Sequence, residues 1–382
     1  MSLRERLGKA GLSGQDKRQL MFERLGVTRN PYPPAGEPTG HPHMETSAEE
    51  PIVRAIESFE RDRVSQAFLI EGTQGVGKSN LLNYFQGELH DLYKDADGYY
   101  IIRYYPDPES TFDGILRRIV QEFDQASLLT KLAHHLSELS GEEQERTIAI
   151  ASGHEMKVIL RVLVASADDQ DKLNEVASAA YEWLTGVRIL KKHRELLKIS
   201  FRLDTVESKT QALRDVVFCC SATNLLNGVY LLLDELEKQD YSFSKTIVLR
   251  YLSAIRALID ALPQHLFLLV ALTIEARRRY FAMLPAFAGR LQNIVTIDPI
   301  KTAEAAVQLN EFYLKQARDE AARELGKVAP KGEVISKEEV RNLFSTLLKR
   351  AAAEKAQEGV THRDLLNALH LKAEATFAEL SN

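Results

Sequence analysis

The chain is poor in the features that commit a sequence to an unusual environment. Its 382 residues include two cysteines, Cys219 and Cys220, side by side in "VVFCCSATNLL". Adjacent cysteines rarely bridge, and no spacing suggests zinc. They read as small apolar packing in a buried helix, and a reducing compartment fits. Long apolar runs are missing too. The greasiest, "LFLLVAL" at 266–272, is far short of the roughly 20 residues a membrane helix needs. The opening "MSLRERLGKAGLSGQDKRQL" lacks the apolar core of a signal peptide. The expectation is a soluble, cytoplasmic protein with no membrane partner. A basic excess is also lacking. With 49 Lys and Arg against 54 Asp and Glu, the formal net charge is −5. Any contact with nucleic acid would therefore have to come from a local patch. No internal repeat or low-complexity tract is present.

What is there is ordinary apolar material, enough for one large domain or two to three smaller ones. Residues 1–45 predict an extended arm, because "RNPYPPAGEPTGHPH" is dense in proline and glycine. His41 and His43 could suggest a metal, but histidines alternating with proline read more simply as loop. "TSAEEPIVRAIESFERDR" predicts a helix with a Ser47–Glu50 capping box and a stripe of Ile52, Ile56 and Phe59. Five short runs have strand character: 67–72, 99–106, 229–235, 266–273 and 293–298. Their continuous rather than alternating hydrophobicity predicts an α/β fold, a five-stranded parallel sheet with helices on both faces. Helical patterns fill the long gap between the second and third runs, so an all-helical insertion is expected at about 125–205. "TFDGILRRIVQEF" begins that gap with Phe112, Ile115, Leu116, Ile119, Val120 and Phe123 at helix spacing. The expected layout is an arm at 1–45, a main domain at 46–300 and a helical lid at 301–382. In the lid, Gly326 closes a long helix, and Thr361 with Asp364 starts the last one.

The stretch "FLIEGTQGVGKSN" carries the chemistry. Gly72, Thr73, Gln74, Gly75, Val76, Gly77, Lys78 and Ser79 fit G-x-x-x-x-G-K-[ST], preceded by a strand pattern and followed by a helix pattern that starts with Asn80 and two leucines. Glycines let backbone N–H groups surround phosphate, and a helix N-terminus adds partial positive charge. Lys78 is expected on the β- and γ-phosphates of ATP and Ser79 on Mg²⁺. A strand–turn–helix junction that merely contains glycines would not explain Lys78 and Ser79. "VYLLLDELEK" ends a buried strand in two carboxylates, at the edge where such sheets bind ligands. Asp234 is expected in the metal shell, and Glu235 is expected to polarise the attacking water. The order of strands matches P-loop proteins that insert a strand and carry such a glutamate. A phosphotransferase would need an acceptor site, and no sign of one is found.

Other polar groups could complete the site. Thr273 ends the fourth strand and could contact the γ-phosphate or water, or simply cap a turn. Arg277, Arg278 and Arg279 read as the coat of a helix, and Arg290 is the best candidate for an arginine finger acting on a neighbouring subunit, against a surface arginine. Arg363 could reach the phosphates from the first turn of the last helix. One dense basic cluster, "KKHRELLKISFR" at 191–202, could follow a phosphate backbone, although a solvated helix face is the simpler reading.

With these residues in place the chain resembles the AAA+ ATPases over about 46–382. "GTQGVGKS" carries the extra Gly75 frequent in that superfamily. Asp234-Glu235, Thr273, Arg290 and Arg363 fall in the order of its acidic pair, first sensor, finger and second sensor. Threonine stands where asparagine is commoner in the first sensor. The Asn30-Pro31-Tyr32 element is similar to bacterial initiator-like and transposition-regulator ATPases. The stretch from "YEWLTG" to "GVYLLLDELEK" is similar to ATP-binding proteins of phage-defence loci. The resemblance implies a Mg²⁺-dependent ATPase that assembles into a homo-oligomer, a ring or filament, and acts on DNA or a DNA-bound protein. An ATP-controlled switch or scaffold, with slow hydrolysis as a timer, is the alternative.

Overall fold

The computed structural model describes residues 18–34, 41–105, 111–186, 190–237, 244–353 and 358–379. Expectations for residues 1–17, 35–40 and 106 lie outside them. The helices are α1 (described over 18–25), α2 (Glu50–Asp62), α3 (Lys78–Tyr93), α4 (Phe112–Gln125), α5 (Leu128–Glu138), α6 (Gly141–Ile150), α7 (His154–Val164), α8 (Gln170–Leu184), α9 (Lys191–Leu197), α10 (Val206–Ala222), α11 (Lys245–Ala261), α12 (Ile274–Met283), α13 (Pro285–Ala288), α14 (Ala303–Leu325), α15 (Lys337–Ala353) and α16 (His362–Glu379). The strands are β1 (Gln66–Glu71), β2 (Tyr99–Tyr104), β3 (Gly228–Leu233), β4 (Leu266–Leu272) and β5 (Asn293–Thr296). No helix among the described residues is long and apolar enough to cross a membrane.

The chain divides into two compact units. The first gathers Ser47–Glu71 and Tyr84–Thr296 and holds the whole sheet. All pairings are parallel and the strand order is β2-β3-β4-β1-β5. Every residue of β3 and β4 is buried, as expected for strands covered on both faces. The pleat sorts their side chains. Leu231, Leu233, Leu268 and Val270 join one apolar core with α4 and the helices of the 128–197 stretch. Tyr230 and Phe267 turn the other way and meet Phe59 of α2 edge-on. Phe112, Ile115, Leu116, Ile119, Val120 and Phe123 are all buried on α4. The helical insertion thus shares the core of the sheet. Cys219 and Cys220 lie unbridged inside α10. Burial pushes the Cys219 thiol up to about 12, so it is chemically quiet.

The second unit gathers Met1–Thr46, Gly72–Asn83 and Ile297–Asn382. Its core joins Met21, Leu25 and Tyr32 to α14, α15 and α16. The N-terminal segment therefore differs from the expected extended arm. Residues 18–25 are helical, and the Asn30-Pro31-Tyr32 element is docked. The Tyr32 hydroxyl donates to Asn310 Oδ1 at 2.5 Å, and His370 Nδ1 bonds the Tyr32 carbonyl at 2.7 Å. Helix caps show one success and one correction. Thr361 and Asp364 form the expected start of α16, with the Asp364 N–H donating to Thr361 Oγ1 at 3.0 Å. Ser47 does not cap α2; Glu49 occupies the N-cap position and Pro51 the first turn, where a missing N–H costs nothing.

Candidate functional site

Strand β1 ends at Glu71, and the chain enters the glycine loop at Gly72 before α3 opens at Lys78. A Cβ on Gly72 would stand 2.7 Å from both the Ile297 carbonyl oxygen and Val76 Cγ2, so close packing demands glycine there. Gly75 and Gly77 have φ of 84° and 105°, a region that side chains disfavour. Only glycine takes these turns without strain, which is the backbone chemistry that an anion-binding loop uses. Lys78 is buried, and its ammonium folds back on the loop, donating to the Gly72 carbonyl at 3.0 Å and the Thr73 carbonyl at 3.1 Å. The Thr73 hydroxyl is buried without a hydrogen-bond partner. Ser79 and Asn80 occupy the first turn of α3. The Asn80 side chain is engaged by the N-terminal segment, through His43 Nδ1 at 2.8 Å and the His41 carbonyl at 3.2 Å.

Arg363 belongs to the same unit, and its backbone N–H donates to the Gly75 carbonyl at 3.0 Å. Its Cβ would lie 3.1 Å from a Cβ on Gly75. The start of α16 is therefore packed on the glycine loop, with the Arg363 side chain exposed. Beside it, burial lowers the His362 imidazole to about 4, keeping it neutral.

In the sheet unit, a second group gathers at the carboxyl ends of the strands. The registers Glu71↔Leu272 and Leu233↔Val270 align the ends of β1, β4 and β3. Asp234 follows β3 and is almost sealed. Its Oδ2 accepts from Arg103 of β2 at 2.7 Å, with side-chain exposures of 2% and 4%. Its Oδ1 accepts the Glu235 N–H at 2.9 Å. Glu235 itself sits at φ 50°, a left-handed conformation that costs a non-glycine residue about 1 kcal/mol or more. Glu71 meets Arg277 Nε at 2.5 Å and accepts from the Thr296 hydroxyl at 3.0 Å. Thr273 is the N-cap of α12, its hydroxyl oxygen accepting the Ala276 N–H at 3.2 Å. Arg290 is half-exposed and ion-paired with Asp260.

The loop residues and Arg363 thus share one unit, while Asp234, Glu235, Thr273 and Arg290 belong to the other. Arg103 and Arg277 were not singled out as partners of carboxylates. An arginine inside "YYIIRYY" was the available signal, since a charge in a buried strand requires a counter-charge.

The glycine loop, with its ammonium and the Ser79 hydroxyl, has the donor set of an anion site, and Asp234 in the other unit is a hard oxygen donor. Magnesium on a nucleotide needs only one or two protein oxygens, because phosphates and water complete its octahedron. Ser79 and Asp234 are hard oxygen donors of that kind. Among the described residues no group of three or more His, Cys, Asp or Glu could hold a metal by itself. No protein-family model matches the chain, and no curated protein matches it.

Proposed function

We propose that the protein is a Mg²⁺-dependent ATPase of the AAA+ type, which works as a homo-oligomer and acts on DNA or a DNA-bound protein. The observation that carries this reading is the glycine loop. It places a buried lysine ammonium on its own carbonyls, with Gly75 and Gly77 at positive φ and a helix opening at Lys78. Such a loop offers amides, a helix N-terminus and one cation to an anion. On triphosphate binding the Lys78 ammonium turns part of its hydrogen bonding to phosphate oxygens. Ser79 and Asp234 would hold the metal, which supplies charge neutralisation at the phosphates. Glu235 orients a water molecule and accepts its proton as the water oxygen bonds the γ-phosphorus, and the bond to the leaving ADP oxygen breaks. Arg363 is fixed at the loop by its backbone, so its guanidinium is a candidate in that unit for a phosphate contact. Thr273 and Arg290 complete the proposal as sensor and finger.

The switch reading has one observation in its favour. Asp234 is neutralised by Arg103 within the sheet, so recruiting it to a metal means weakening a buried ion pair. Hydrolysis slow enough to act as a timer would follow.

The test is nucleotide binding, phosphate release and sedimentation with ATP and Mg²⁺. Lys78→Ala is expected to abolish ATP affinity, and intact affinity would overturn the reading. Glu235→Gln is expected to keep ATP binding while phosphate release falls by roughly 10²-fold or more, the scale of a lost general base. Unchanged release would remove Glu235 from the mechanism. If the Glu235→Gln protein keeps ATP-dependent assembly and full biological output, the protein is a switch.

A further inference from the structure

The overall charge is −5, yet the stretch 190–206 carries five cations against two carboxylates. It also contains Phe201, whose 74% exposure exceeds that of every other large apolar side chain exposed among the described residues. Leu190, 59% exposed, lies in the same stretch. Free exposure of a phenylalanine is usually a matter of a loose loop, but this one is pinned. The Phe201 N–H donates to Glu155 Oε1 at 3.2 Å, and its carbonyl accepts from Trp183 Nε1 at 3.1 Å. The backbone is tied to α7 and α8 on both sides of the residue while the ring stays in solvent.

Lys191 pairs with Glu195 at 3.5 Å and Arg202 with Asp204 at 3.9 Å, but Lys192 and Lys198 are not explained by the local fold. Lys191 and Lys192 open α9, where positive charge opposes the helix dipole. Lys198 caps the other end at φ 56°, a position that favours glycine or asparagine. Lys192, Arg194 and Lys198 have no ion-pair partner among the described residues. Local stability would have been better served by other residues at Lys192 and Lys198, whereas Arg194 in the last turn of α9 suits the helix dipole.

From this we infer that the 190–206 face binds single-stranded nucleic acid, with unpaired bases stacking on Phe201 and phosphates on Lys192, Arg194, Lys198 and Arg202. An aromatic ring held in solvent on a stretch rich in exposed cations is the combination that unpaired strands use, because every base has a face to stack and every nucleotide a charge. A duplex hides its base faces and would use the cations alone. An acidic protein would likewise leave the ring without a specific role. The inference names the partner of the proposed ATPase and rests on that reading only for its place in a cycle.

The experiment is fluorescence anisotropy of labelled oligo-dT, oligo-rU and a duplex of equal length, titrated with the full chain over a salt series, with and without ATP and Mg²⁺. Single strands are expected to bind more tightly than duplex, and the two sugars report whether the strand is DNA or RNA. Phe201→Ala is expected to weaken binding roughly 5- to 150-fold at every salt concentration, the range of one lost base stack. It should leave the salt slope and the unfolding midpoint unchanged. Lys192→Gln with Lys198→Gln is expected to lower the slope by about 1.4, two phosphate contacts on a single strand. Parent-like binding by both variants in both conditions would overturn the inference, as would a preference for duplex. So would a drop in sedimentation coefficient of Phe201→Ala without nucleic acid, which would assign the ring to a second copy. Because affinity is also read without nucleotide, this result and the Lys78→Ala result fail independently.

Discussion

The two ends of the parallel sheet handle buried charge in opposite ways. Toward the amino ends, Glu60 is enclosed by phenols: Tyr230 donates to it at 2.6 Å, Tyr99 at 2.9 Å, and Arg63 pairs with it at 2.8 Å. Tyr93 stacks on Tyr99 with centroids 3.8 Å apart and shares a hydrogen bond with Tyr230. Burial alone would raise the Glu60 pKa, but the tyrosine hydrogen bonds and the Arg63 charge outweigh it and hold the carboxyl below its ordinary value. That network is rich in neutral donors, with the Glu60 and Arg63 side chains only about a quarter exposed. At the carboxyl ends, Asp234 leans on one guanidinium and Glu71 on another, and Glu235 stands in an unfavourable backbone conformation. A carboxylate satisfied by several fixed phenols has nothing to exchange. One satisfied by a single cation can trade it for another cation, which is what a nucleotide-bound metal would offer. The contrast separates charge fixed by several neutral donors from charge held by one cation.

The largest break in that contrast should come from Arg103→Met. It leaves the Asp234 carboxylate buried without its counter-charge, and the expected loss is about 3–5 kcal/mol, measured by urea denaturation. Replacing Asp234 as well, with leucine, should recover most of it, because a well-packed apolar pair avoids the desolvation of both ions. A single variant as stable as the parent would mean that Asp234 is neutralised elsewhere.

A smaller effect is expected at the closed end. Glu60→Gln should cost about 2 kcal/mol at neutral pH, the scale of hydrogen bonds to a charged group. Its pH signature sharpens the comparison. The folded-state pKa of Glu60 is depressed, so its contribution is complete above the unfolded carboxylate value and is lost as pH falls through the folded value. Stability of the parent should therefore fall on acidification more steeply than that of Glu60→Gln. Parallel profiles would contradict the network.

The smallest effect is expected for Arg290→Ala. Its pair with Asp260 is 45% and 32% exposed, and such pairs contribute under about 1 kcal/mol. A near-parental melting temperature together with slower hydrolysis by assembled protein would show that Arg290 acts beyond its own unit. Parental hydrolysis would move the finger elsewhere.

Much of this was legible in the residues. Strand runs that are apolar without alternation can only be buried on both faces, and β3 and β4 are. The strand–turn–helix course around the glycines was readable because the apolar run before Gly72 and the helical pattern after Lys78 are both local. Thr361 and Asp364 were readable because a capping box is local. Partnerships across long sequence separations were not. Arg103 meets Asp234 across 131 positions, and only the general need of a buried charge for a counter-charge hinted at it. The docking of Tyr32 on Asn310 was equally hidden, since proline and glycine predict irregular backbone but not where it is anchored. Ser47 misled because Glu50 also suits a first turn whose cap lies at Glu49.

The unit that contains the glycine loop is stitched from three stretches of chain, the last reaching α16. During synthesis the loop is made well before the helix whose Arg363 N–H donates to the Gly75 carbonyl. At about 5–20 residues per second, the ribosome needs roughly 15–60 s to make the chain between them. For that interval a nascent polypeptide carries the glycine loop without the backbone hydrogen bond that α16 supplies to it.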